Sequence, residues 1–255
     1  ELRMKSFGVV LSIFFALQSL SYAQAVRQNP GFRTFALERG DDAVFTQQAV
    51  PLGFTLNFFG IQRSSVFVTN NGNIAFVGEN LQSYTPETYS TLQRELIAPF
   101  FADVDTRNAL SDVVRYGRDT VDGRSAFGVN YVNVGYYASK ADKLNSFQLV
   151  LIDRNDTGSG NFDIEFNYDK VQWETGDVNG GVNGLGGTSA SAGYSNGTGE
   201  PGTFFEILGS RVPGSFLDTN PNGLRYRTFN SNVPGRLVFN VRNGQVVLST
   251  SCTTP

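Results

Sequence analysis

The sequence predicts an all-β fold, mainly an antiparallel β-sandwich, with one short helix and a long Gly/Ser/Asn-rich loop. Three observations carry that expectation. Apolar residues recur with period two, as in FDIEFNY at 162–168, so that one face of a pleated strand collects every second side chain. Asn-Gly pairs punctuate such runs at Asn71-Gly72 and Asn243-Gly244, where a tight hairpin turn needs residues that tolerate positive φ. No segment carries a sustained helical stripe, and many short strands separated by turn signals imply a sandwich.

In chain order, residues 1–25 read as a secretory leader with an upstream remnant. Met4-Lys5 starts it, FGVVLSIFFALQSL at 7–20 is its apolar run, and SYAQA at 21–25 supplies the small-x-small pattern of a cleavage site. That run is short for a membrane span, which needs roughly 20 residues. Residues 26–52 form a lead-in with the first strands. SVFVT at 65–69 and NIAFV at 73–77 flank Asn70-Asn71-Gly72 as a hairpin. Residues 86–96 are the helix, with Thr85 as N-cap and Pro86 at the first helical position.

A long alternating strand follows at 125–134. FQLVLI at 147–152, apolar on both faces, predicts a strand buried between layers. In the strand at 162–168, Phe162, Ile164, Phe166 and Tyr168 point inward, and Asp163, Glu165 and Asn167 point to solvent. Residues 176–202 are the Gly/Ser/Asn-rich loop, carrying one strand of small residues at 189–194. The runs at 236–241 and 245–248 close the domain as a second hairpin, and 249–255 is a polar tail or linker. Cys252 in that tail is a linker residue or pairs with a cysteine beyond it. The expected core comprises Phe54, Phe67, Phe76, Phe147, Leu149, Leu151, Ile164, Phe166 and Phe239.

Composition narrows the function. The 255 residues suffice for one large domain with a real core. Twenty Lys and Arg against 23 Asp and Glu, net −3, exclude polynucleotide binding through a basic surface. The 22 Phe and 10 Tyr exclude a disordered chain. With no His and one Cys, catalytic triads, Cys-His pairs and His-ligated zinc are absent. What remains is carboxylate, Tyr, Lys or Ser chemistry, or an oxygen-ligated cation.

Asp103 and Asp105, at strand spacing i, i+2, form a candidate calcium pair, with Asn70, Asn71 and Asp112 as further oxygen ligands. The alternative is structural: such carboxylates cap backbone N–H groups, and Arg107 compensates them. Asp163 and Glu165 can be posed as a glycosidase pair, against the plainer reading as hydrated charges. Tyr136 and Trp173 are candidate ligand-binding rings for sugar stacking, against core packing, as are Tyr131 and Tyr137. The sequons at Asn155 and Asn196 act only in a eukaryotic secretory pathway. Neither phosphate-loop signature fits the glycine-rich stretch.

An ordered set of segments then points to a family: VTNNGNIAF at 68–76, IAPFFADVDT at 97–106, YVNVGY at 131–136, LNSFQLVL at 144–151, IEFNY at 164–168, VQW at 171–173, AGY at 192–194 and PGRLVF at 234–239. The chain resembles the nidogen-like extracellular (NIDO) domain of nidogens, tectorins and some membrane mucins, over about residues 53–241, so that 53–248 is taken as that domain. Its low cysteine content resembles the secreted bacterial versions. The resemblance implies a secreted or cell-surface module of cell-matrix adhesion, usually one part of a larger multidomain chain. Its partners would be extracellular matrix or cell-surface proteins or glycans, with no nucleic acid and no membrane insertion of the mature domain. The resemblance supplies no catalytic residue, and calcium is the only cofactor candidate. A lectin-like module or a carboxylate-based glycan-active enzyme is the alternative.

Overall fold

The computed structural model describes residues 24–247; the leader up to residue 23, and Cys252, lie outside them. The larger sheet runs β1 (Phe35–Ala36), β7 (Arg115–Val121), β8 (Arg124–Tyr136), β9 (Lys140–Asp153), β10 (Phe162–Lys170), β15 (Arg236–Arg242) and β16 (Gln245–Val247). β6 (Val104–Asp105) joins it by pairing with β8. The smaller sheet runs β14 (Phe204–Glu206), β13 (Ser191–Asn196), β5 (Glu95–Phe101), β4 (Ile74–Ala75), β3 (Ile61–Val68) and β2 (Val50–Phe58). A separate hairpin joins β11 (Gly181–Val182) to β12 (Leu185–Gly186). Pairing between these strands is antiparallel throughout. No helix of the described residues is long and apolar enough to cross a membrane.

Period-two packing joins the sheets into one core. Phe127, Val129, Phe147, Leu149, Leu151, Ile164 and Phe166 from the larger sheet meet Leu56, Phe58, Val66 and Val68 from the smaller one. Ring pairs cross the gap at 5.1 Å (Phe100–Phe147) and 5.8 Å (Tyr194–Phe239), separations at which tilted and edge-on aromatic contacts are favourable. Two buried tyrosines tie the sheets together through their hydroxyls: Tyr131 donates to the Thr69 carbonyl (2.9 Å) and Tyr168 to that of Pro99 (2.6 Å). Of the expected core, Phe76, Phe147, Leu149, Leu151, Ile164, Phe166 and Phe239 are buried. Phe54 is half-buried near a register shift of β2 against β3. Phe67 takes the opposite face, because Val66 and Val68 are the inward residues of β3.

Both outer faces carry covers. Residues 24–34 lie across the outside of the larger sheet, where Phe32 packs on Val121, Ala126, Val150 and Ile152. The Gln148 amide grips this segment from both sides, accepting from Arg27 N and donating to Arg27 O, each at 3.0 Å. It continues a polar row across four strands: Gln148 donates to Asn130 Oδ1 (2.7 Å), Asn167 to Gln148 Oε1 (2.9 Å) and Arg236 to Asn167 Oδ1 (3.0 Å). Asp163, Glu165 and Asn167, expected in solvent, are therefore buried: Arg27 of this cover closes over Glu165, which Asn167 joins, while Arg154, Arg242 and Asn240 enclose Asp163. The period was read correctly, but strand alternation does not reveal that a distant segment returns over the polar face.

The expected helix at 86–96 does not form. The chain is irregular through Arg94, and Glu95 and Leu96 open strand β5. Tyr89 and Leu92 are buried with Leu96, Ala98 and Phe101 as the cover of the smaller sheet. Packing on that sheet and the ladder bonds of β5 override the local start signal at Thr85-Pro86. The glycine-rich stretch does contain a strand, β13, which pairs with β5 and β14 in the smaller sheet.

Candidate metal centre

The Asn-Asn-Gly hairpin does more than reverse the chain. Asn70 and Asn71 are buried at its tip, and Gly72 has φ +75°, with the position of a Cβ only 1.7 Å from the Phe100 carbonyl oxygen. Only glycine lets the tip lie this close to β5. Asn71 then clamps the connection from β5 to β6: its Oδ1 accepts from Val104 N (3.0 Å), and its Nδ2 donates to Asp42 Oδ1 (2.8 Å). Asn70 Nδ2 donates to the Val104 carbonyl (2.5 Å) and, at 3.5 Å, to that of Gly40. These contacts draw the loop before β2 onto the turn that carries Asp103.

The carboxylates of Asp41, Asp42 and Asp103 converge there, with one oxygen of each within 4.8 Å of the others. Asp103 is fully buried, and neither of its oxygens has a hydrogen-bond partner among the described residues. Asp41 Oδ1 and Asn70 Oδ1 are also buried without one. Burial, then the charges of Asp42, Asp41 and Asp105, pushes the Asp103 carboxyl up to about 8 against a smaller pull from Arg107. Burial, then Asp105 and Asp42, raises Asp41 to about 6. Three hard oxygen donors suit Ca²⁺ or Mg²⁺, whereas thiolate- and imidazole-binding metals find no matching ligand here.

Asp105 is saturated by protein donors. Its Oδ1 accepts from Arg107 N (2.9 Å) and Nε (3.0 Å), and its Oδ2 from Ser139 N (2.7 Å) and the Arg107 guanidinium. Arg107 also reaches Asp41 Oδ2 at 2.7 Å. The expected pair thus divides into two roles: Asp105, in β6, is ion-paired, and Asp103, in the turn before it, faces the acidic cluster. Asp112 is exposed and is not among the converging carboxylates. Asp41 and Asp42 were missed in the sequence because they sit more than 60 residues upstream, with only the Asp-Asp doublet as a signal.

The two rings proposed for ligand stacking require correction. Tyr136 and Trp173 are fully buried, packed on each other at 5.5 Å, with Phe100 edge-on to the indole at 5.6 Å. Trp173 Nε1 donates to the Val134 carbonyl (3.0 Å), and the Tyr136 hydroxyl to Asp142 (2.8 Å). A sugar ring has no open face to stack on. Asp163 and Glu165 are held by arginines: Arg154 and Arg242 lie 2.8 and 2.7 Å from Asp163, and Arg27 lies 2.7 Å from Glu165.

A family profile described as the nidogen-like domain matches residues 64–243. Alpha-tectorin of Mus musculus is 32% identical over 228 residues, covering 80% of this chain and 10% of its own length. Alpha-tectorin of Gallus gallus is 30% identical over 220 residues, 77% of this chain and 10% of its own. Nidogen of Drosophila melanogaster is 26% identical over 230 residues, 80% of this chain and 15% of its own. The chain thus spans 10–15% of the length of these relatives. No solved structure matches.

Proposed function

The chain belongs to the nidogen-like domain family, and on that premise we propose that it is an extracellular module, in a matrix or on a cell surface, that contacts protein or glycan without catalysing a reaction. The observation that carries this reading is how the acidic side chains are engaged. A glycosidase needs two carboxyls about 5 Å apart or more across an open cleft. Here Asp163 and Glu165 are buried and ion-paired, Asp163 with Arg154 and Arg242 and Glu165 with Arg27 of the covering segment. The secretory leader read in the sequence supports export, and the much greater length of the relatives supports a role as one module of a longer chain.

A glycan-hydrolysis screen tests the non-catalytic part. The purified protein is incubated with a panel of polysaccharides and oligosaccharides, and released reducing ends are counted. The expected result is no turnover above a heat-unfolded control. Turnover that disappears in Asp163→Asn or Glu165→Gln, in variants that keep the wild-type circular dichroism, would overturn it.

A further inference from the structure

We propose that Asp41, Asp42 and Asp103 bind one calcium ion where the loop before β2 meets the β3–β4 hairpin and the β5–β6 connection. Geometry comes first: three carboxylates from two distant stretches of chain reach within 4.8 Å of one another. Such convergence has a cost, since like charges at this range repel unless something between them is positive or donates hydrogen bonds. Arg107 is the nearby cation, and its guanidinium is engaged by both oxygens of Asp105 and by Asp41 Oδ2. Among the described residues, no cation pairs with Asp42 or Asp103.

The second observation is independent of the charge count. Buried polar atoms in folded proteins almost always find a partner, because an unmatched one forfeits its hydration. Asp103 is fully buried with two oxygens that meet no donor. Asn70, only 1% exposed, holds its amide nitrogen on the carbonyls of Gly40 and Val104, the residues adjoining Asp41 and Asp103, while its Oδ1 finds no donor. A cluster of buried acceptors without donors is what an oxygen-ligated cation requires. Its loop-borne, irregular arrangement suits calcium, which accepts variable geometry, better than magnesium, which demands a near-ideal octahedron.

The ion would tie residues 41–42 to residue 103, fixing the loop before β2 against both sheets. Extracellular modules hold calcium with dissociation constants of about 10⁻⁴–10⁻³ M, so the site would be filled outside cells and largely vacant at cytosolic calcium.

Thermal unfolding of the purified protein in EDTA, then across 0.1–10 mM CaCl₂ or MgCl₂ (roughly the range that brackets such constants), tests this. The expected melting temperature rises by roughly 3–6 °C per tenfold increase in calcium above the dissociation constant. Asp103→Asn abolishes the rise, and Asp42→Asn, at a half-exposed position, displaces it to higher calcium. Should Asp103→Asn fail to fold, the displacement in Asp42→Asn decides. A wild-type melt that does not move, a rise unchanged in the foldable variants, or an equal response to magnesium would overturn the proposal.

Discussion

Gly128 of β8 lies beneath the Phe32 ring, where a Cβ would come within 2.4 Å of ring carbon. A methyl group there must push the ring out of its seat among Val121, Ala126, Val150 and Ile152. Gly128→Ala should therefore destabilise the protein by roughly 1–3 kcal/mol, the usual range for overpacking. In a double-mutant cycle read by urea unfolding, the cost should largely vanish in the Phe32→Ala background. Equal costs in both backgrounds would mean that the ring is not held there. At this scale the sequence was partly legible. Ile164 and Phe166 declare themselves through alternation, and their burial follows. Phe67 does not, because a three-residue apolar run in SVFVT offers two phases, and the valines take the inner one. Tyr136 and Trp173 were legible as aromatic anchors, but whether such a ring packs or binds depends on what lies across from it.

The segment at 24–34 matters as an element although it contains only a single short 3₁₀ turn, Pro30–Arg33. It is fastened at several points: Ala25 N to Asp169 (2.8 Å), Arg27 to Glu165 (2.7 and 2.8 Å), and the Phe32 carbonyl to Asn130 Nδ2 (2.7 Å). Removing it would leave Glu165 with Arg236, at 3.4 Å, as its cation partner and strip the apolar cover from β8 and β9. Deletion of residues 24–34 should cost at least about 3 kcal/mol, by analogy with breaking a buried ion pair and truncating a buried Phe. It should also speed hydrogen exchange in β9 and β10. Unchanged stability would show that the cover is dispensable. Its position could not be read from local pattern, since its hydrogen bonds to the sheet span 88 to 211 residues in sequence. The same limit explains residues 86–96. Tyr89, Leu92 and Leu96 follow helical spacing, yet they meet one another as a loop folded onto a strand. The hairpin at Asn243-Gly244, whose turn is local, was read correctly, with β15 and β16 paired around it and φ of 51° and 77° at the two residues.

At the level of the whole molecule, one core joins the sheets, and the acidic groups on the outer face of β10 are committed to arginines, Glu165 to Arg27 of the cover and Asp163 to Arg154 and Arg242. The family was legible because its ordered segments are core strands and tight turns, which tolerate few alternatives. Two of the three carboxylates of the proposed calcium site were hidden because Asp41 and Asp42 precede the matched region, and only the folded chain brings them to Asp103. In the proposed role as a binding module, the core is a scaffold and the surface makes the contacts. Solid-phase binding of the purified protein to coats of extracellular-matrix proteins and of neutral glycans tests this most directly. The expected result is saturable binding to at least one coat, lost when the protein is heat-unfolded. Binding to every coat indistinguishable from that of the unfolded protein would contradict it.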